Sequence, residues 1–339
     1  MTFTHHLNQI IQKKDLDQES MAGMITKIFS GTITDAQIGA FMAALAVKGE
    51  TFEELAGAAM AMRKKAGRIQ ALSSRIVDTC GTGGDASNSF NISTTTAFVV
   101  AGCGVTVAKH GNRSVTSQCG SADLLEHLGV NLDTDPEIVE EAVNEIGIGF
   151  LFAPRFHGAM KYAARARKEV GIRSIFNMLG PLTNPAAASC QLLGVFAPQL
   201  TEMFAKALQL LGTRRAFVVH GHDGMDEITV CDKTRVSELN NNMVLSYDID
   251  PLDYFDDYHP KEALKGGDVE TNADITRAVL DGEKGARREI VLLNAAAALV
   301  AADAADTITR GITMAEAAID SGRAAGKLAE LITFTRENG

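Results

Sequence analysis

The sequence predicts an α/β protein: a small N-terminal helical domain plus a larger, mainly parallel sheet domain flanked by helices. Two observations carry this. The first seventy residues place apolar side chains at helical spacing behind capping signals, and from Arg75 onward short β-type runs alternate with helical patterns. Alternating strand and helix requires crossover connections, and these bring successive strands parallel.

Thr34-Asp35-Ala36-Gln37 has the form of a capping box, with a side-chain oxygen at each end to satisfy the first amides of a helix. Ile38, Phe41, Met42 and Leu45 follow at i, i+3, i+4 and i+7, one buried face. Gly49 suits a left-handed stop. Thr51-Phe52-Glu53-Glu54 repeats the signal and opens a helix through Leu55, Ala59 and Met62. β-type runs then stand at Ile76-Val77, Val105-Val107, Gly149-Phe152, Leu192-Val195 and Ala216-Val219. Helical patterns separate them at 94–101, 121–128, 136–146, with Pro136 at the first helical position, and 199–211. A basic helical stretch from 157 to about 178 interrupts the alternation and is free to pack on the N-terminal helices. The expected division is 1–72 joined by 157–183, against 73–156 with 184–339.

The bulk numbers set limits. The chain has 339 residues, 46 % hydrophobic and 22 % charged, within the range of globular proteins. A net charge of −10 argues against duplex nucleic acid or a membrane surface as partner, while leaving room for a local basic pocket. Five cysteines, Cys80, Cys103, Cys119, Cys190 and Cys231, form no C-x-x-C pair and fit reduced cytosolic thiols. No signal peptide precedes the first helix, and no apolar run approaches the ~18 residues of a membrane span. A soluble, cytoplasmic protein is expected.

Three segments carry chemistry. Asp78-Thr-Cys-Gly-Thr-Gly-Gly-Asp85, followed by Ser89, Asn91, Ile92, Ser93 and Thr94, takes a strand into glycines and then into a hydroxyl-rich helix start. Glycine lets a bulky anion reach backbone N–H groups, and the helix start adds free amides. The spacing is neither G-x-G-x-x-G nor the P-loop. The second segment is Lys109-His110-Gly111-Asn112-Arg113-Ser114-Val115-Thr116-Ser117, continuing to Ser121. Lys109 and Arg113 supply the charges a diphosphate needs, and the hydroxyls can donate to its oxygens; Ser121 also stands where the next helix is capped. The third is His220-Gly-His222-Asp-Gly-Met-Asp226-Glu227, an acidic pair after a strand. Mg²⁺ takes one or two carboxylates and completes its shell with water and phosphate oxygens; His220 and His222 read as loop histidines. The basic helix 160–168 reads as a solvated face, with Arg167 a carboxylate ligand only if the substrate carries one. A cleft of amides, lysine, arginine and Mg²⁺ suits a departing diphosphate better than covalent nucleophilic catalysis.

Gly81-Thr-Gly-Gly-Asp85, Asn91-Ile-Ser-Thr94, Lys109-His-Gly-Asn-Arg113, Gly120-Ser-Ala-Asp123, Asn177-Met-Leu-Gly-Pro-Leu-Thr-Asn-Pro185 and Met225-Asp-Glu227 stand in this order along the chain. Together they resemble the anthranilate phosphoribosyltransferase family over almost the whole length. The resemblance implies transfer of phosphoribose from 5-phosphoribosyl 1-diphosphate to anthranilate in tryptophan biosynthesis, with the nucleoside phosphorylase/phosphoribosyltransferase type of fold. It implies a diphosphate site at Gly81, Gly84, Asp85, Ser89, Asn91, Ile92, Ser93, Thr94, the 109–117 loop and Ser121. It implies two Mg²⁺ ions on Ser93, Asp226 and Glu227, with Lys109, Asp226 and Glu227 as the catalytic groups. Anthranilate is assigned to Gly81, Asn112 and Arg167, a hinge to Gly180-Pro181, and a homodimer to the helical domain. One departure stands out: Gly158 replaces the proline many members carry after the histidine, which leaves the path near anthranilate open. The competing readings are a pyrimidine nucleoside phosphorylase-like enzyme and a non-enzymatic nucleic-acid-binding relative; the acidic pair and the net charge oppose them.

Overall fold

The computed structural model describes residues 1–114 and 118–339. Four helices open the chain: α1 (Phe3–Ile11), α2 (Gln18–Phe29), α3 (Asp35–Lys48) and α4 (Phe52–Lys65). Thr34 and Thr51 both form full capping boxes, with Gln37 and Glu54, as the sequence predicts. Glu54 does more: fully buried, it also accepts from Leu16 N–H at 2.9 Å and Lys48 Nζ at 2.9 Å, pinning the α1–α2 connection to α4.

The sheet follows, with β1 (Ile76–Gly81), α5 (Ile92–Gly102), β2 (Thr106–Gly111), α6 (Ser121–Leu128), α7 (Pro136–Glu145) and β3 (Ile148–Phe152). A single turn α8 (Ala153–Phe156) and α9 (Lys161–Val170) lead through the 171–189 connection to β4 (Cys190–Gly194), α10 (Leu200–Leu210) and β5 (Arg215–Gly221). Strand order is β3-β2-β1-β4-β5-β6-β7, parallel through β5. The last two strands, β6 (Thr234–Asn240) and β7 (Met243–Ile249), form an antiparallel hairpin at the edge. That hairpin is absent from the sequence reading, because an edge ribbon with one wet face shows no apolar run: Met243 and Leu245 are exposed while Val236 and Leu239 are buried. Helices α11 (Val269–Leu280), α12 (Ala286–Ala301), α13 (Ile308–Asp320) and α14 (Arg323–Asn338) complete the chain.

Side chains alternate between two cores, as a pleated strand requires. Phe217 and Val219 face α5 and the buried α12, whereas Ala216 and Val218 face α10 and the N-terminal helices. The basic helix α9 packs on α2 and α3 rather than the sheet. Arg63 of α4 reaches across to donate to Leu182 O (2.6 Å) and Leu211 O (3.3 Å). Because the first five strands are parallel, their C-terminal ends share one edge, where open α/β sheets hold ligands. No helix of the described residues is long and apolar enough to cross a membrane.

Candidate active site

The glycine-rich loop after β1 and the acidic pair after β5 meet at that edge. Gly81 pairs with Gly194, and Gly194 with Val219, so the ends of β1 and β4 form a notch without side chains. Asp226 fills it. A Cβ on Gly81 would come 2.5 Å from Asp226 Oδ2, and one on Gly194 would collide with the Asp226 carbonyl. Gly83 N–H donates to Asp226 Oδ2 at 2.9 Å. The turn that delivers the pair is closed by Gly221 N–H to Met225 O (2.8 Å) and by Asp223, which accepts from Met225 N–H (3.1 Å) and Thr229 Oγ (2.8 Å). From α12, buried Asn294 pairs both backbone groups of Ile228, at 3.0 and 2.8 Å, and so fixes the residue beside Glu227.

These carboxylates lack enough positive charge. Burial first, then Asp85, pushes Asp226 up to about 7. Burial, then Asp226, raises Glu227 well above the carboxylate range, and Lys109 and the Ser93 amide only partly oppose this. Buried carboxylates that repel one another fit a hard divalent cation. Among the described residues no cluster of three or more His, Cys, Asp or Glu side chains suits an all-protein metal cage, and Mg²⁺ needs none.

Lys109 lies near the C-terminal end of β2, beside this group. Its ammonium is buried, donates to Thr79 O at 2.6 Å and lies 3.4 Å from Ser93 Oγ. Burial lowers its pKa, and Asp78 is the strongest opposing influence. Asp78 is itself fully buried, accepting from His110 N–H (3.1 Å) and Asn184 Nδ2 (2.8 Å), and Asn184 also donates to Ala108 O (2.7 Å). At the start of α5, Asn91 Oδ1 and Thr94 Oγ are buried without a partner among the described residues. Ser89 lies against Ser87, whose Oγ donates to Ser89 Oγ at 3.2 Å, and Ile92 opens α5.

Other expected residues sit differently. Arg113 turns from the cleft onto Glu126 (2.8 and 2.9 Å) and Asp123 (3.0 Å), so its charge is already matched. Ser121 is the first residue of α6 instead of its cap; Gly120 precedes the helix, and Asp123 reaches back to its N–H at 2.9 Å. Ser121 Oγ donates to Asn112 O at 3.2 Å and closes on Gly111. Asn112 is exposed, and Ser114 N–H donates to Asp123 Oδ2 at 3.0 Å. Val115, Thr116 and Ser117 lie outside the described residues. His220 is not a loop histidine as expected but lies buried near the end of β5, donating to Val195 O at 2.7 Å; His222, in the turn that follows, lies 3.7 Å from Asp248.

Toward the helical unit, Arg167 of α9 is half-buried over the Phe176 ring (5.8 Å) and has no ion-pair partner among the described residues. His110 and His157 meet at 3.2 Å between their Nε2 atoms, and His110 Nδ1 lies 3.1 Å from Gly180 O. Since a carbonyl only accepts, His110 Nδ1 carries hydrogen, its Nε2 accepts, and His157 Nε2–H donates. His157 Nδ1 is then a bare acceptor, and it is buried without a partner among the described residues. A side chain at Gly158 would meet nothing within 4 Å, so the missing proline leaves no steric defect. The sequence reading did not single out Gly194, Asn294, Asn184 or His157 as site residues. Gly194 carried a signal, a glycine closing a buried strand as Gly81 does, and Asn184 lay within the 177–185 motif.

Comparison with known proteins agrees along the whole chain. Residues 73–325 match the model of the glycosyl transferase family, a/b domain, and residues 4–66 its helical bundle domain. An anthranilate phosphoribosyltransferase of Desulfosudis oleivorans is 67 % identical over 338 residues, covering 99 % of this chain and 100 % of that protein. The crystal structure of anthranilate phosphoribosyltransferase from Thermus thermophilus superposes with a TM-score of 0.92 at 39 % identity, over 97 % of this chain and 99 % of the other. The Saccharomyces cerevisiae enzyme in complex with PRPP and Mg gives 0.90 at 27 % identity, over 99 % and 98 %.

Proposed function

The chain belongs to the glycosyl transferase family, and from that premise we propose how its residues carry out the reaction named for its relatives. It transfers the phosphoribosyl group of 5-phosphoribosyl 1-diphosphate to the amine of anthranilate, giving N-(5-phosphoribosyl)anthranilate and diphosphate on the way to tryptophan. The observation that carries the assignment of roles is the contact between the acidic pair and the glycine-rich loop at Gly83.

The backbone amides of Gly84 and Asp85, the Thr94 hydroxyl and Lys109 receive the diphosphate, with Asn91 at the same helix start. Lys109 is held by Thr79 O, so its charge is already placed and needs no reorganisation as the diphosphate leaves. Asp226, Glu227 and Ser93 would hold Mg²⁺, two ions in this proposal. Bound there, magnesium neutralises charge on the leaving diphosphate. An aryl amine is neutral at pH 7, so the site needs no strong base, only a placed acceptor. Arg167, without an acidic partner among the described residues, faces the anthranilate carboxylate, with Asn112 and Gly81 beside it. The unit 1–72 with 157–183 supplies the anthranilate side, and 73–156 with 184–339 the diphosphate side. Exposed Ile11 and Val47 on the helical unit support homodimer formation there, and five cysteines in no disulfide among the described residues fit a cytoplasmic setting.

Loss of anthranilate fluorescence on adding 5-phosphoribosyl 1-diphosphate, with and without Mg²⁺, tests the reading. Magnesium-dependent loss is expected. A folded protein that leaves the fluorescence unchanged overturns it.

A further inference from the structure

One side chain from the helical segment crosses to the glycine-rich loop and has no part in the mechanism above. Arg173 is exposed, its guanidinium lies 3.8 Å from the centroid of the Phe196 ring, and its Nη2 donates to Gly84 O at 2.9 Å. Among the described residues it forms no ion pair. Phe196 is fixed in turn, its N–H donating to Thr82 Oγ at 3.1 Å inside the same loop. Gly84 has φ +75, and a Cβ there would lie 2.5 Å from Arg173 Nη2, so glycine permits both the backbone turn and the approach.

The loop is thus held on two sides by groups of opposite charge. The Asp226 carboxylate takes the Gly83 N–H, and the Arg173 guanidinium takes the Gly84 C=O. In a planar trans peptide the C=O and the following N–H point in opposite directions. Fixing Gly84 O toward Arg173 therefore turns the Asp85 N–H away from it, and that amide has no partner among the described residues. A free, pre-aimed amide in a glycine-rich loop is an anion donor.

We propose that Arg173 is a positioning residue for the diphosphate: it clasps the loop from the helical segment, seated on Phe196, and aims the Asp85 amide at the substrate. The inference rests on the reading of the site as a diphosphate cleft. Arg173 acts on the peptide and leaves anthranilate to other residues, so its loss separates the two substrates.

The test is calorimetric binding of inorganic diphosphate with Mg²⁺ to the full chain, beside initial rates for both substrates. Arg173→Ala is expected to weaken diphosphate binding about tenfold, as loss of a charge-assisted hydrogen bond does, and to raise the KM for 5-phosphoribosyl 1-diphosphate alike. The KM for anthranilate should stay within about twofold. Arg173→Lys should recover part of the binding, and Phe196→Leu should lose part of it with Arg173 intact. A diphosphate Kd within about twofold of wild type in Arg173→Ala, or an equal rise in both KM values, overturns the proposal. Wild-type chain that binds diphosphate about tenfold better than Arg173→Ala but leaves anthranilate unreacted would keep the clasp and sink the assigned reaction.

Discussion

Asp226 Oδ2 accepts the backbone N–H of Gly83 at 2.9 Å, joining the acidic pair to the glycine-rich loop across 143 residues of sequence. An amide that could bind an anion is thereby covered by a carboxylate that could bind a cation. Asp226→Asn keeps the shape of the side chain but removes its charge. Turnover should fall by about 100-fold or more, with the Mg²⁺ dependence weakened, in line with the loss of one transition-state charge interaction. Rates titrated against Mg²⁺ check this; an unchanged Mg²⁺ midpoint would remove Asp226 from the metal site.

Gly194 has no chemistry of its own, yet a Cβ there would collide with the Asp226 carbonyl. Gly194→Ala should shift the 225–227 turn and cost most of the activity while the fold survives, since β4 keeps its ladder. Circular dichroism beside the fluorescence assay separates the two effects. Wild-type activity in Gly194→Ala would contradict the notch.

Arg167 is a half-buried cation on α9 with no acidic partner among the described residues. Arg167→Ala should raise the KM for anthranilate about 10- to 100-fold, the scale of a lost charged hydrogen bond, and change that for 5-phosphoribosyl 1-diphosphate far less. Equal effects on both would make Arg167 a packing residue.

Asn294 holds both backbone groups of Ile228 and is wholly buried. Asn294→Ala leaves a buried N–H and C=O unpaired, at a cost of about 2–4 kcal/mol. Urea unfolding reads it; a loss under about 0.5 kcal/mol would mean that other groups satisfy Ile228.

The buried pair His110–His157 sets a pH dependence. Burial, with His157 also beside it, lowers His110 to about 3, and burial lowers His157 to about 4, from 6.5. Between those values and 6.5 the unfolded chain binds more protons than the folded one. The associated stability is therefore complete above pH ~6.5 and lost as pH falls toward 4. At pH 5 the pair should have cost about 2–4 kcal/mol, and His157→Gln should flatten the curve. Urea midpoints that stay level from pH 7.5 to 5 would refute this.

Much of this was legible in the chain. Thr34 and Thr51 announced their helices because a capping box is a local arrangement of four residues. The loops at Gly81, Lys109 and Asp226 were visible because glycines, hydroxyls and charges sit next to one another after apolar strands. The β6–β7 hairpin was not visible, since an edge ribbon buries only half its side chains and its pattern reads as loop. Nor was the fate of Arg113, whose pairing with Glu126 depends on how α6 leaves the loop.

The sequence by itself determined the helical unit, the mainly parallel direction of the strands and the chemistry available at their ends, because each follows from neighbours in the chain. Only the tertiary structure decided which distant groups meet. It set Asp226 in the Gly81–Gly194 notch, Asn294 on Ile228, His157 against His110, and Arg173 on Gly84. A lone arginine or asparagine carries no periodic signal. Its role is fixed by a distance that exists only after the sheet has aligned its strand ends.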